Sequence, residues 1–333
     1  MLTAFVTGSA GFIGYHVATR LLAEGWRVIG LDCLSDYYDV ALKKRRHALL
    51  AQHAGFTAVE ARLEEPGRLR EIFEAHRPDL VVHLAAQAGV RFSIDAPRSY
   101  VESNLVGTFE LLEAARAFPP RHMVLASTSS AYGANTEMPY VETQRADHQM
   151  SFYAATKKAT ESMAHSYAHL YGLPVTMFRF FTVYGPWGRP DMAYFKFTRA
   201  ILQGEPIEVY NHGAMRRDFT YVDDLVTGIV KLADAVPGDK PVSERDSLSP
   251  VAPFRVVNIG AAAPAPLMEF IAAIEAACGR EAEKVMLPMQ PGDVPATWAD
   301  IGLLTDLTGF TPEVEMRDGV ARFVSWYRDY YQV

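Results

Sequence analysis

Two short stretches hold residues whose types and spacing can do chemistry. SFYAATKKA (151–159) places Tyr153 four residues before Lys157, which puts both side chains on one face of a helix. A phenol with a free pKa near ~10 is a poor base at neutral pH. A nearby ammonium favours the phenolate and makes a usable proton acceptor. The bland alternative is that Lys157 and Lys158 form a solvated face. The second stretch, STSSAYG (127–133), carries hydroxyls on five of its seven residues and no carboxylate. It follows an apolar run, HMVLA (122–126), that reads as a buried strand. Thr128, Ser129 and Ser130 therefore offer hydrogen-bond donors at a strand end, but no second acid or base. A Ser/Thr-rich turn serving geometry alone fits the composition equally well, but leaves the position relative to Tyr153 unexplained.

The elements that must position these groups alternate along the first half of the chain. TAFVT (3–7), RVIGLD (27–32), DLVVHLAA (79–86), HMVLAS (122–127) and VTMFRFF (175–181) read as short strands. FIGYHVATRLLAEG (12–25), RSYVESNLVGTFELLEAARAF (98–118) and SFYAATKKATESMAHSYAHLYG (151–172) read as helices. Short apolar strands alternating with helices imply an α/β fold, a Rossmann-type doubly wound parallel sheet covered on both faces. The second half is less regular. AVPGDKPVSERDSLSPVAPF (235–254) reads as an exposed loop within a second lobe. The expected division is a first domain over 1–180 and a smaller α/β lobe over 181–333, with some segments returning to the first domain.

A glycine turn, TGSAGFIG (7–14), joins the first strand to the first helix, with Gly8, Gly11 and Gly14 spaced GxxGxxG. Glycines let a backbone turn tightly and approach a pyrophosphate, whose charge is favoured at a helix N-terminus. Asp32 ends the next strand, where a carboxylate accepts bonds from the adenosine ribose hydroxyls and repels a 2′-phosphate. That favours NAD over NADP. A tight strand–helix turn with no ligand is the alternative.

Composition bounds the remaining possibilities. The chain has 333 residues, 49% hydrophobic and 21% charged, which suits a folded enzyme and argues against disorder. A net charge of −7 argues against nucleic acid or an acidic membrane surface as a partner. The two cysteines, Cys33 and Cys278, give neither a disulfide framework nor a zinc spacing. Nothing resembles a signal peptide or a bilayer-spanning run, so a cytoplasmic location is expected. His165 and His169 lie four apart but lack an HExxH glutamate, and no metal site is expected.

With the GxxGxxG turn and the Tyr-x-x-x-Lys pair, the chain resembles the extended short-chain dehydrogenase/reductases. RFFTVYGPWGRPDMAYFKF (179–197) is the most specific stretch and resembles the signature of the UDP-glucuronate 4-epimerases, within the NAD-dependent epimerase/dehydratase family. LDCLSDYYDVALKKRR (31–46), AAQAGVRFSI (85–94), RRDFTYVDD (216–224) and LPMQPGDVPATWAD (287–300) agree, so the resemblance runs nearly end to end. It implies a 4-epimerase that interconverts UDP-glucuronate and UDP-galacturonate through a transient 4-keto sugar, with NAD as cofactor. It implies Tyr153 as base, with Thr128 and Lys157 completing the catalytic set. It places Gly8, Gly11, Phe12, Ile13, Gly14, Asp32, Leu84, Ala85 and Ala86 around the cofactor, with Tyr153 and Lys157. It places Arg217 on the diphosphate and Asp293 near the uridine ribose; Arg216 is equally readable as a solvated neighbour. Related dehydratases carry Asp-Glu at the positions of Ser129 and Ser130, and decarboxylases a glutamate at Ser130. Serines there leave reversible oxidation at C4 as the simplest chemistry. Oxidising C4 of a glucuronate makes a β-keto acid, which loses carbon dioxide readily. We therefore expect Ser129, Ser130 and Thr182 to hold the carboxylate, with Arg189 contributing charge; a surface arginine after a turn is the alternative for Arg189. Arg62 stands where relatives carry an adenine-binding Asp. In the family it resembles, slim helices like the alanine-rich 151–172 form a dimeric four-helix bundle, so the resemblance implies a homodimer. The rivals are a UDP-glucose-type 4-epimerase, a UDP-glucuronate decarboxylase, and a redox-sensing binding protein without turnover.

Overall fold

The computed structural model describes all residues, 1–333. In chain order the strands are β1 Thr3–Thr7, β2 Arg27–Asp32, β3 Phe56–Glu60, β4 Leu80–His83, β5 His122–Ala126, β6 Val175–Phe180, β7 Thr182–Tyr184, β8 Ile207–Val209, β9 Arg216–Tyr221, β10 Phe254–Ile259, β11 Pro264–Pro266 and β12 Lys284–Met286. Seven form one sheet in the order β10-β6-β5-β4-β1-β2-β3, and every neighbouring pair is parallel. β1 and β5 are buried along their whole length, as strands covered on both faces must be. Alternate residues feed the two faces: Ala4 and Val6 pack into one core, Phe5 into the other. The strand order reverses between β1 and β4. Such a switch point opens a crevice beyond the strands' C-terminal ends, where ligands of this fold bind.

The second lobe is small. β11, β9 and β7 form a three-stranded sheet, and β12 pairs with β8. β10 comes from late in the chain yet pairs with β6 in the main sheet. The segment before it is no free loop of the second lobe. It runs along the Phe152–Tyr171 helix, where His165 Nε2 meets Ser249 (2.8 Å) and His169 Nδ1 meets the Val251 carbonyl (2.7 Å). Asp246 in that segment forms a buried ion pair with Arg255 of β10 (3.0 Å). This pairing, which composition does not reveal, fixes the segment to the first domain.

The expected helix over 98–118 is helical but not uniform. Val101–Val106 is a π-helical turn followed by the α-helix Gly107–Ala117. The cause is local. Asn104 accepts from the Gln87 amide (2.8 Å) and donates to the Gln87 carbonyl (3.1 Å) and to Thr156 Oγ1 (3.0 Å). It thereby fastens the segment after β4 to the helix that carries Tyr153. The helix Phe152–Tyr171 is delimited as its sequence suggests: the Ser151 hydroxyl accepts from the Ala154 amide, and Gly172 closes it at φ 67°.

Candidate active site

The glycine turn sits at the switch point. Gly8 has φ +73°, and a Cβ there would come 2.9 Å from the Ala85 amide nitrogen. A Cβ on Gly14 would lie 2.0 Å from the Gly8 carbonyl oxygen. The turn must therefore be glycine at both places for β1, β4 and the helix Phe12–Ala23 to meet this closely. Gly11 is the N-cap of that helix and no side chain caps it, so the first amides, at Phe12 and Ile13, face the crevice end unsatisfied by side chains. Asp32 is buried at the end of β2, where its carboxylate accepts from the Ala10 amide (3.0 Å) and the Leu34 amide (2.8 Å). The end of β4 is held against β1 by one hydroxyl. Thr7 Oγ1 accepts from the Leu84 and Ala85 amides (both 3.1 Å), so its proton points to His83 Nδ1 (2.8 Å). Ala86, next in line, is half-buried.

Tyr153 and Lys157 lie on the same buried face of their helix, 7% and 4% exposed. The Lys157 ammonium has no hydrogen-bond or ion-pair partner in the protein, and burial pushes its pKa down to about 8, against the opposing pull of Glu161. The Tyr153 phenol is pushed up by burial, while the Thr128 hydroxyl and the Arg189 guanidinium pull it back. Burial thus outweighs the favourable influences of Thr128 and Arg189. His83 is pushed down to about 3 by burial and by the Lys157 charge, so it stays neutral. One turn beyond Lys157, Glu161 takes a bidentate bond from Arg179 (2.8 and 2.7 Å), one from Ser127 (2.5 Å) and one from Lys158 (2.9 Å). This buried set ties the end of β5 and β6 to the tyrosine helix. Single-sequence reading missed it, although an acid at a core-facing helical position is itself a signal.

The opening of STSSAYG is a short 3₁₀ turn. Thr128 caps it by accepting from the Ser130 amide (3.2 Å), which aims its hydroxyl toward Tyr153. Ser129, Ser130 and Thr182 are half-buried, and none of their hydroxyls has a hydrogen-bond partner in the protein. Ser129 and Ser130 lie in the turn that packs on the tyrosine helix, and Thr182 opens β7. No group of three or more His, Cys, Asp or Glu is close enough to hold a metal ion.

The family model for the NAD dependent epimerase/dehydratase family matches residues 4–245. The chain belongs to that family. It is 56% identical to a probable UDP-glucuronate 4-epimerase of Rhizobium meliloti (strain 1021), over 98% of this chain and 97% of that one. Its fold is similar to that of a UDP-glucuronic acid 4-epimerase from Bacillus cereus, solved with UDP-glucuronic acid and NAD (TM-score 0.89, 30% identity, 99% of this chain and 100% of that one). It is also similar to a UDP-glucose 4-epimerase from Thermotoga maritima, solved with UDP-glucose (TM-score 0.86, 30% identity, 99% and 100%). The residues of this epimerase/dehydratase chain fit the family's NAD: an uncapped helix N-terminus behind a glycine crest, a buried acid ending β2, and a buried lysine with no protein partner.

The other expected site residues of this family member are placed less simply. Arg189 lies close enough to act on Tyr153, but its Nε and Nη2 grip Asp191 (3.1 and 2.6 Å), and Tyr37 donates to the same carboxylate (3.3 Å). Its charge is thus partly spent inside the protein. Arg217 is half-buried on β9, and burial lowers its pKa despite Asp293 nearby. Its Nη1 donates to the Pro295 carbonyl (3.2 Å). Asp293 itself pairs with Arg91 (3.3 Å), whose guanidinium stacks over Tyr210 at 4.5 Å. Arg91 and Tyr210 were not expected from the sequence. Arg62 is exposed and paired with Glu64 (2.6 Å), so it offers no acid for an adenine amine.

Proposed function

We propose that this chain is a UDP-glucuronate 4-epimerase that interconverts UDP-glucuronate and UDP-galacturonate with NAD. The observation that carries the reading is the combination of a buried Tyr153–Lys157 pair with unpartnered Ser129, Ser130 and Thr182 hydroxyls and no carboxylate among them. NAD, where these residues hold it, would supply the oxidising chemistry at C4 and so allow a transient 4-keto sugar. Tyr153 takes the proton of the 4-hydroxyl and gives it back, and Thr128 orients that hydroxyl. Lys157, a buried cation without a protein partner, holds ribose hydroxyls and keeps positive charge beside the phenolate. Gly8, Gly11, Phe12, Ile13 and Gly14 take the pyrophosphate, Asp32 the adenosine ribose, and Leu84 to Ala86 the wall beside them. Arg217 and Asp293 serve the UDP end.

The glucuronate carboxylate is held by Ser129, Ser130 and Thr182, with Arg189 lending charge. These groups turn the C5–C6 bond away from alignment with the C4 carbonyl. The test is NMR of enzyme with UDP-glucuronate: a galacturonate anomeric signal without net NADH or carbon dioxide is expected. Arg189→Ala should raise KM and lower turnover of UDP-glucuronate by about ten-fold or more, the scale of a charge-assisted contact; unchanged turnover removes Arg189 from the site. A second reading, epimerisation of a neutral UDP-sugar, draws on the Arg189–Asp191 pair, which leaves little free charge for a carboxylate. Turnover of UDP-glucose but not UDP-glucuronate would decide for it.

The dimer we propose forms through the helices Gly107–Ala117 and Phe152–Tyr171. Val101, Val106, Phe109, Phe152, Leu170 and Tyr171 are exposed apolar residues on or beside them. No helix is long and apolar enough to cross a membrane. Cys33 and Cys278 are both free, which suits a reducing compartment, and we place the enzyme in the cytoplasm.

A further inference from the structure

We infer that Arg46 is a positioning residue that fastens the Pro186–Gly188 turn to the cofactor turn and so fixes Arg189 against the substrate carboxylate. The inference rests on the carboxylate reading given above. Arg46 is fully buried on the helix Val40–Leu50. Its Nη1 donates to the Ala10 carbonyl of the glycine turn and to the Tyr38 hydroxyl (both 2.9 Å). Its Nη2 donates to the carbonyls of Trp187 (2.5 Å) and Gly188 (2.9 Å). His16, on the first helix, donates from Nε2 to the carbonyl before them, Pro186 (2.9 Å). Three consecutive carbonyls of one turn are thus held by side chains from the first domain. The next residue is Arg189.

The turn needs holding. Trp187 has φ +59°, in the left-handed region that a bulky residue rarely occupies. Its ring packs between Tyr15 of the first helix (5.5 Å) and Trp326 and Tyr330 of the last (5.3 and 5.2 Å). Arg46 makes no ion pair, since all its partners are carbonyls or a hydroxyl, and its Nε has none. A buried guanidinium without a counter-charge is expensive, and a neutral side chain would pack there at lower cost. What a neutral side chain cannot do is bridge Ala10 on one side and Trp187 and Gly188 on the other with one planar fork. Adjacent tyrosines serve both ends of the device: Tyr38 meets Arg46, and Tyr37 meets the Asp191 partner of Arg189. The stretches 31–46 and 179–197 therefore act as two halves of one clamp.

The clamp should govern the fate of the 4-keto intermediate. If the carboxylate swings into line with the C4 carbonyl, the C5–C6 bond breaks. Its electron pair passes into the carbonyl as an enolate, carbon dioxide leaves, and C5 takes a proton. The test uses the full chain at saturating NAD with UDP-glucuronate, products resolved by NMR. Arg46→Met is expected to lower epimerisation turnover by about 10- to 100-fold, the scale of a misplacement near 1 Å, and to raise the share of decarboxylated pentose. Arg46→Lys should recover part of both. Tyr38→Phe, which removes one partner of the fork, should shift the product ratio the same way and keeps the test open if Arg46→Met does not fold. An unchanged product ratio in the folded variants overturns the inference, even if thermal stability falls, because a purely structural arginine would do that. Arg189→Ala is run in parallel. If it turns over normally, the carboxylate reading itself fails; if it is impaired while the Arg46 variants keep the wild-type ratio, only the clamp fails.

Discussion

Replacing Glu161 with Gln removes one negative charge from a buried cluster and should destabilise the protein measurably. Glu161 is 3% exposed and Arg179 is 2% exposed. The carboxylate takes both Arg179 bonds, one from Ser127 and one from Lys158. Breaking a buried pair by neutralising one partner costs about 3–5 kcal/mol, because the other charge stays buried. Lys158 is a third exposed and adds at most about 1 kcal/mol. The depressed pKa of Glu161 leads to a similar figure. Arg179, Lys158 and Ser127 more than offset burial and hold the Glu161 carboxyl down at about 2, against 4.5. That difference is worth about 3 kcal/mol by linkage. The sign follows from the depressed pKa: the stabilisation is complete above about pH 4.5 and is lost as pH falls toward 2. Thermal unfolding followed by fluorescence should show Glu161→Gln melting on the order of 5 °C lower at pH 7. The gap should narrow when both proteins are scanned toward pH 3. A gap under about 1 °C at pH 7, or one that widens on acidification, refutes the assignment of this cluster as a stabilising buried pair.

Tyr153→Phe should keep the fold, since its ring packs edge-on to Tyr100 at 6.1 Å, and should cost turnover about 10²–10⁴-fold, the usual contribution of an acid–base group; steady-state kinetics with UDP-glucuronate checks it. His83, held near 3 by burial, stays neutral in the folded chain while the unfolded chain protonates near 6.5. Stability should therefore fall as pH drops from about 6.5 toward 3, and His83→Asn should flatten that part of a melting-against-pH curve. Phe109→Glu, on an exposed apolar helix face, should turn a dimer into a monomer in sedimentation velocity at unchanged far-UV circular dichroism. A wild-type chain that is already monomeric sinks the bundle interface.

The parallel sheet was legible because its strands are uniformly apolar and punctuated by glycine and hydroxyl residues. TAFVT and HMVLA became β1 and β5 residue for residue. The π-helical turn was not legible, because Asn104 makes it by bonding Gln87 and Thr156, one on each side of it in the chain. The same limit hid the 246–255 ion pair and put the segment before β10 in the wrong lobe. In the candidate site, residue types at a helical spacing carried far: Tyr153 and Lys157 share a buried face, as four-residue spacing requires. What spacing cannot express is the sum of burial and distant charge. The Tyr153 pKa moves up because burial in the cleft favours the neutral phenol over the pull of Thr128 and Arg189.

On the proposed binding mode, the Arg189–Asp191 pair would let an acid-free rim be safe for a carboxylate. A lone arginine would bind a glucuronate carboxylate strongly in reactant, intermediate and product alike. Uniform binding of that kind lowers KM without speeding the step. Here Asp191 takes two of the guanidinium's donors and Tyr37 fixes Asp191 in turn. What remains is a weakened positive field at a fixed place. In the proposed binding mode Ser129, Ser130 and Thr182 would then set direction, because a hydroxyl bond depends on angle more than a charge does. Direction is what a β-keto acid requires, since decarboxylation is slow only while the C5–C6 bond stays out of line with the carbonyl. A glutamate at Ser130 would repel the carboxylate outright and give up that control. At Asp191 the negative charge is met by Arg189 and Tyr37 and so tempers the arginine.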